Sequence, residues 1–199
     1  MFTFDNAMSK MHIAKFEKIS KEEWDKSIQE LKNTQNKHAS LYDIVSYDDI
    51  QLPKRSTASS AGYDFFLPCS IHIDGCFYNE CSDYGVTKKC INVNPTILIP
   101  TGIKCQIDPI WALFLYPRSS MGFKYGIQLA NTVGVVDADY YNNPTNEGHI
   151  FIKLKNGNND SVNFNAGDKF AQGIFMQYGT AIGDNVTATR TGGLGSTGA

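Results

Sequence analysis

From about residue 41 the chain is built of apolar runs too short for helices and rich in side chains that suit strands. Segments 97–99, 111–116, 150–154 and 162–164 are dominated by Ile, Val, Leu, Phe, Trp and Tyr, and 170–177 carries Phe170, Ile174 and Phe175. Branched and aromatic side chains pack well on a pleated, half-buried surface. Between the runs stand turn formers at 100–102, 156–160 and 166–168, where Gly, Pro, Asn and Asp interrupt any longer element. Many short strands with regular punctuation predict an all-β sandwich, jelly roll or barrel. The span 70–92, polar and cysteine-rich, reads as a hairpin or loop excursion from it.

The first forty residues differ. Ser20 and Glu23 form a capping-box pattern, with Ile19 and Trp24 placed as a hydrophobic staple. Trp24, Ile28 and Leu31 then recur at helical spacing, which predicts an amphipathic helix over 20–32. The chain of 199 residues therefore divides into an N-terminal extension (1–40), a β domain (41–189) and a glycine-rich tail (190–199).

Charge and cysteines exclude several classes. A net charge of -2 gives no basic footprint for nucleic acid. No apolar stretch is long enough to cross a membrane, and no secretory signal is visible, so a cytoplasmic or nuclear protein is expected. Five cysteines without Cys-x-x-Cys spacing fit reduced thiols better than a framework of disulfides. Zinc through Cys76, Cys81 and Cys90 with His72 is the less favoured reading. Arg55, Arg118 and Arg190 are the only arginines, so each position carries weight, the planar guanidinium being well matched to phosphate.

Five segments carry the chemistry. Ala61-Gly62-Tyr63-Asp64 ends in an acid, and Pro117-Arg118-Ser119-Ser120-Met121-Gly122 offers an arginine and two hydroxyls in a turn. Ala130-Asn131-Thr132-Val133-Gly134-Val135-Val136-Asp137-Ala138-Asp139-Tyr140 wants to be a strand in which a glycine permits close approach. Alternation places Asp137 on the face of Val133 and Val135, an apolar face on which a carboxylate is costly unless paired or working. Ala166-Gly167-Asp168-Lys169-Phe170-Ala171-Gln172 leads from a turn into a strand. Gly192-Gly193-Leu194-Gly195-Ser196-Thr197-Gly198 is able to wrap an anion with backbone N–H groups, although no Lys-Ser/Thr follows to make a P-loop.

Together and in this order, these segments resemble the five motifs of the homotrimeric dUTPase family. The resemblance runs from about residue 41 to the C-terminus. It implies a jelly-roll-like β fold, hydrolysis of dUTP to dUMP and pyrophosphate with Mg²⁺, and a role in limiting uracil incorporation into DNA. It also implies a homotrimer with shared sites, the tail closing over a neighbour's site. By the same resemblance Asp137 activates the attacking water, and Asn131 and Gly134 shape the uracil pocket. Tyr140 packs on the deoxyribose and excludes a 2′-hydroxyl. Arg118, Ser119, Ser120 and Gln172 contact phosphates, and Asp64 holds the metal through water. From the tail, Arg190, Leu194, Gly195, Ser196 and Thr197 close on the nucleotide.

The chain departs from the family pattern in three places. An inserted Tyr-Asn-Asn-Pro-Thr-Asn-Glu stretch (141–147) precedes Gly148, and Leu194 replaces a stacking phenylalanine. Arg190 stands one residue closer to the double glycine than usual. Two other functions are carried beside the enzyme: a non-catalytic dUTP-binding regulator on the same fold, and a deaminase of deoxycytidine nucleotides on a related one.

Overall fold

A computed structural model describes residues 12–34, 38–83, 86–93, 95–188 and 190–193, with backbone alone at residues 34, 77–83 and 86–93. The expected β architecture is present. A five-stranded antiparallel sheet runs in the order Gly134–Val136, Trp111–Pro117, Lys169–Gln177, Tyr63–Phe66, Lys54–Arg55. Two three-stranded sheets accompany it: Ile127–Leu129, Phe151–Asn156, Thr96–Pro100, and Val162–Phe164, Ser70–Ile73, Ala39–Tyr42. Between them lies one apolar core that includes Phe65, Ile71, Ile99, Leu113, Leu154 and Phe170. Among the described residues no helix is long and apolar enough to cross a membrane.

The strands expected at 97–99, 111–116, 150–154, 162–164 and 170–177 all form, with bounds within one or two residues. Turns sit where the punctuation placed them. Gly102 and Gly167 adopt φ of 72° and 85°, a left-handed conformation open to glycine at no steric cost. The excursion is shorter than 70–92. Ser70–Ile73 is an inner strand of its sheet, and the hairpin proper pairs Phe77–Asp83 with Val86–Val93.

The N-terminal extension is part of the core rather than an appendage. Ala14–Lys18 pairs antiparallel with Ile103–Ile107, a strand absent from the expected elements. Helix α1, Lys21–Thr34, follows with Ser20 as its cap: the Ser20 hydroxyl accepts from the Glu23 N–H at 3.1 Å. Ile19 and Trp24 are 0% and 3% exposed, and Trp24 packs beside Gly102 and Ile50. The other half of the expected capping box is made differently. The Ser20 N–H donates to the Glu147 carboxylate at 3.0 Å, so a residue of the inserted loop takes the place Glu23 would have filled.

Candidate active site

The five-stranded sheet ends at Gly134–Val136, and the chain turns there into a single 3₁₀ turn, Ala138–Tyr140. Entry to that strand is tight. The Thr132 N–H donates to the Leu129 carbonyl and the Val133 N–H to the Asn131 carbonyl at 2.7 Å. Thr132 takes φ of 66°, costly for a β-branched residue. Gly134 pairs with Leu115 in the sheet, and a Cβ there would stand 3.1 Å from the Leu115 side chain. The strand's inner face is Gly134 and Val136. Val135 is 55% exposed and the Asp137 side chain 50% exposed, so the face holding Asp137 looks outward. A half-exposed carboxylate there is hydrated and carries no burial cost, which removes the reason the sequence suggested for suspecting it.

A cavity of about 210 Å³ opens beside this turn, lined by Asn131, Gly134, Asp137, Tyr140, Phe151, Arg190 and Gly193 among others. Five of the expected site residues thus share one hollow. An adjoining, more apolar hollow of about 300 Å³ shares Leu115, Asn131, Gly134 and Phe151 with it. Arg190 closes the first hollow. Its Nη2 donates to Asp137 at 2.9 Å and its Nε to Asp139 at 3.0 Å, while its guanidinium lies 5.3 Å over the Tyr140 ring. The fork thus spans two carboxylates and an aromatic face, three partners a lysine could not satisfy together.

Tyr140 is buried, with its hydroxyl donating to the His149 carbonyl and accepting from Asn146. Burial pushes its phenol above the usual range, so the hydroxyl stays a donor at neutral pH. The inserted loop is compact rather than loose: Asn143 and Asn146 are buried and their amides bond within the loop and to Tyr140. Gly148 adopts φ of 79°, and a Cβ there would meet the Tyr140 carbonyl at 2.5 Å.

The remaining site residues gather elsewhere in the same sheet. Asp64 pairs with Gln172 across the strands, and the Gln172 amide donates to the Pro117 carbonyl at 3.2 Å. Gly62 lies against this glutamine: a Cβ there would stand 2.7 Å from Gln172 Oε1 and push the carboxamide aside. Asp64 is buried and meets Arg118 Nε at 3.1 Å and Lys169 Nζ at 2.9 Å, with the Ser56 hydroxyl donating at 2.6 Å. Burial raises its pKa, but Ser56, Lys169 and Arg118 together outweigh that and hold the carboxyl below its ordinary value. Lys169 stands inside the 166–172 segment and Ser56 in none of the five, and the sequence assigns neither a role. Arg118 occupies the N-cap position of helix α2, Ser119–Tyr125, without a side-chain capping bond, and Ser119 and Ser120 lie exposed on its first turn.

The two groups lie apart within the chain. The row Gly134, Leu115, Gly173, Tyr63 crosses three strand spacings, roughly 14 Å at about 4.8 Å each. None of Asp64, Arg118, Ser119, Ser120 or Gln172 lines the Asp137 cavity. Leu194, Gly195, Ser196 and Thr197 lie outside the described residues. A hollow of about 520 Å³ near Arg55, Tyr63, Trp111 and Phe175 contains none of the expected residues.

Two metal readings can be weighed on the donors. Among the described residues no three His, Cys, Asp or Glu side chains converge as a metal cage. His72 already bonds Asn163 and Asp74 through its ring nitrogens, and Cys76 donates to the Asn156 carbonyl, while the Cys81 and Cys90 side chains are outside the description. Cys69 and Cys105 are buried thiols pushed up to about 12 by desolvation.

The fold and cavity define a class, a jelly-roll-like β protein with a polar hollow at the end of one sheet and a tail arginine folded over it. Comparison with known proteins narrows it. The family model for dUTPase matches residues 81–198. The deoxyuridine 5′-triphosphate nucleotidohydrolase of Lactococcus lactis is 41% identical over 152 residues, spanning 75% of this chain and 89% of that protein. The crystal structure of dUTPase from Streptococcus mutans is 35% identical with a TM-score of 0.56, covering 74% of this chain and all (100%) of that one. A mutant dUTPase from phage phi11 of S. aureus, described with a coordinated structural Mg(II) ion, shares the fold at 17% identity and a TM-score of 0.50, covering 75% and 97%. The chain belongs to the dUTPase family.

Proposed function

We propose that this chain hydrolyses dUTP to dUMP and pyrophosphate, with Asp137 as the base. One observation carries the reading: Asn131, Gly134, Asp137, Tyr140 and Arg190, distant in sequence, line a single cavity. Asn131 and Gly134 border both hollows, which suits a flat base placed where the polar and apolar spaces join. Tyr140 below the sugar leaves no room for a 2′-hydroxyl. Asp137, half exposed, is open to water. It takes a proton from a water whose oxygen attacks the α-phosphorus, and the bond to the bridging oxygen breaks as pyrophosphate leaves. Base assistance of this kind is worth about 10²–10⁴ in rate.

Arg190 must leave Asp137 for this to happen. A triphosphate offers the guanidinium denser negative charge than two separate carboxylates, so nucleotide binding frees the base and places the arginine on the phosphates. Arg118, Ser119, Ser120 and Gln172 supply further phosphate contacts. None of them lines the Asp137 cavity of its own chain, which suits a site completed by neighbouring subunits, and the homotrimer that the family resemblance implies would supply those neighbours.

Magnesium fits an outer-shell role only. The carboxylate that would hold it through water is Asp64, and its charge becomes free for the ion only when Arg118 and Lys169 turn from it to the phosphates. When bound, the ion would supply positive charge against the negative charge of the phosphates. Tail residues Leu194, Gly195, Ser196 and Thr197 complete the closure.

Pyrophosphate release from dUTP, compared with dCTP, dTTP and UTP, tests the reading. Asp137→Asn is expected to bind dUTP and to lose at least about 10² in kcat. Near wild-type turnover by that variant rules out Asp137 as the base. Binding of dUTP without any turnover by the unaltered chain identifies a regulator instead, and ammonia released from dCTP identifies a deaminase.

A further inference from the structure

The inserted loop between Tyr140 and Gly148 does more than lengthen a surface turn. We propose that Asn146 is a positioning residue that fixes the Tyr140 ring in the site, and that the N-terminal helix holds the loop which carries it.

The Tyr140 hydroxyl is caught between two partners. It donates to the His149 carbonyl at 3.0 Å and accepts from Asn146 Nδ2 at 2.9 Å. The second Asn146 amide hydrogen faces the same His149 carbonyl at 3.4 Å. On its other side, Asn146 Oδ1 accepts from Asn143 Nδ2 at 2.8 Å and from the Gly148 N–H at 3.2 Å. Asn143 Nδ2 donates in turn to the Tyr140 carbonyl at 2.9 Å. Asn143 and Asn146 are 4% and 9% exposed, so this is a buried polar network whose members are satisfied. Networks of that kind rigidify what they hold, because each lost partner leaves a desolvated group.

The carboxamide also faces the tail. A Cβ on Gly193 would stand 3.3 Å from the Asn146 amide atoms, so the tail's second glycine packs directly on it. Asn146 therefore touches both the tyrosine and the closing segment. The loop is secured from outside by the N-terminal extension. The Ser20 N–H and hydroxyl both donate to Glu147, and Lys26 Nζ donates to the Thr145 carbonyl at 3.5 Å. Lys104, on the strand paired with Ala14–Lys18, reaches Glu147 at 3.3 Å and Asn142 at 2.8 Å. An aromatic ring that discriminates by leaving no space must not pivot, and an anchored hydroxyl at its far end prevents pivoting.

The inference rests on the placement of Tyr140 against the sugar, and the experiment separates the two. The readout is the ratio of kcat/KM for dUTP to that for UTP in the full chain, with Asn146→Ala, Tyr140→Phe and the double variant forming a cycle. Asn146→Ala is expected to lower the ratio about tenfold, the effect of one buried hydrogen bond. It should do so mainly through KM, and it should add nothing in the Tyr140→Phe background. An unchanged ratio, or an equal loss in the Tyr140→Phe background, overturns the proposal, since a merely structural asparagine would act whether or not the hydroxyl is present. If Asn146→Ala does not fold, Asn146→Ser takes its place in the cycle, keeping a hydroxyl for the Gly148 N–H but too short to reach Tyr140. A wild-type chain with no preference for dUTP over UTP overturns the placement of Tyr140 itself.

Discussion

Acidification should destabilise this protein through one histidine before any carboxylate titrates. His149 is fully buried, its ring 4.1 Å from that of Phe151 between centroids. Nε2 accepts the Gly102 N–H at 2.9 Å, which leaves Nδ1 to donate to the Ser27 hydroxyl at 3.2 Å, and that hydroxyl faces Glu23. Desolvation drives the imidazole from its ordinary 6.5 to about 3, with the Glu147 carboxylate opposing only in part. The unfolded chain therefore binds the proton first, so stability is complete above about 6.5 and falls as pH drops toward 3. At pH 5 the 1.5 pH units below 6.5 cost about 2 kcal/mol, at roughly 1.4 kcal/mol per unit. Glu147 and Asp64, both lowered, add losses of the same sign only below their ordinary 4.5 and 3.8. His72, raised by Asn163 and Asp74, works in the other direction but sits near the surface, where solvent screens it. Urea unfolding at pH 7.5 and pH 5, at fixed protein concentration, measures the difference. His149→Gln keeps a donor and an acceptor without titrating, and should lose little over that interval. Equal losses in wild type and variant would refute the assignment.

Other outcomes follow from the same geometry. Gly148→Ala puts a Cβ 2.5 Å from the Tyr140 carbonyl at a positive φ, and should cost about 2–4 kcal/mol in urea unfolding. Thr132→Gly relieves a β-branched residue held at φ 66° and should raise stability by about 1 kcal/mol after the glycine's own entropy cost; a drop in stability would show that Thr132 is not strained. Arg190→Ala removes the one group that spans Asp137, Asp139 and the Tyr140 ring; kcat/KM for dUTP should fall about 10²-fold, and an unchanged value would place Arg190 outside the phosphate site. Cys69 and Cys105, buried and high in pKa, should resist iodoacetamide in the native protein and react once it is unfolded, which mass spectrometry reads directly.

What the sequence determined by itself is local. Runs such as 162–164 and 170–177 set their strands because branched and aromatic side chains favour a pleat, and Gly102 and Gly167 set their turns because glycine takes a positive φ at no steric cost. Ser20 capped helix α1 for the same reason, a side-chain oxygen three residues from an unpaired N–H. The motif residues were legible as types. Only the tertiary structure decided their company. Asp137 turned outward and met Arg190 from the tail, while Asp64 spent its charge on Arg118 and Lys169 three strands away. The strand Ala14–Lys18 went unread because its partner lies nearly ninety positions on, at Ile103–Ile107. The inserted stretch 141–147 showed in the sequence only as added length, yet Glu147 completes the helix cap and Asn146 bonds the Tyr140 hydroxyl. Those contacts join segments distant in the chain, and neither periodicity nor turn chemistry encodes which distant partner will satisfy a buried polar group.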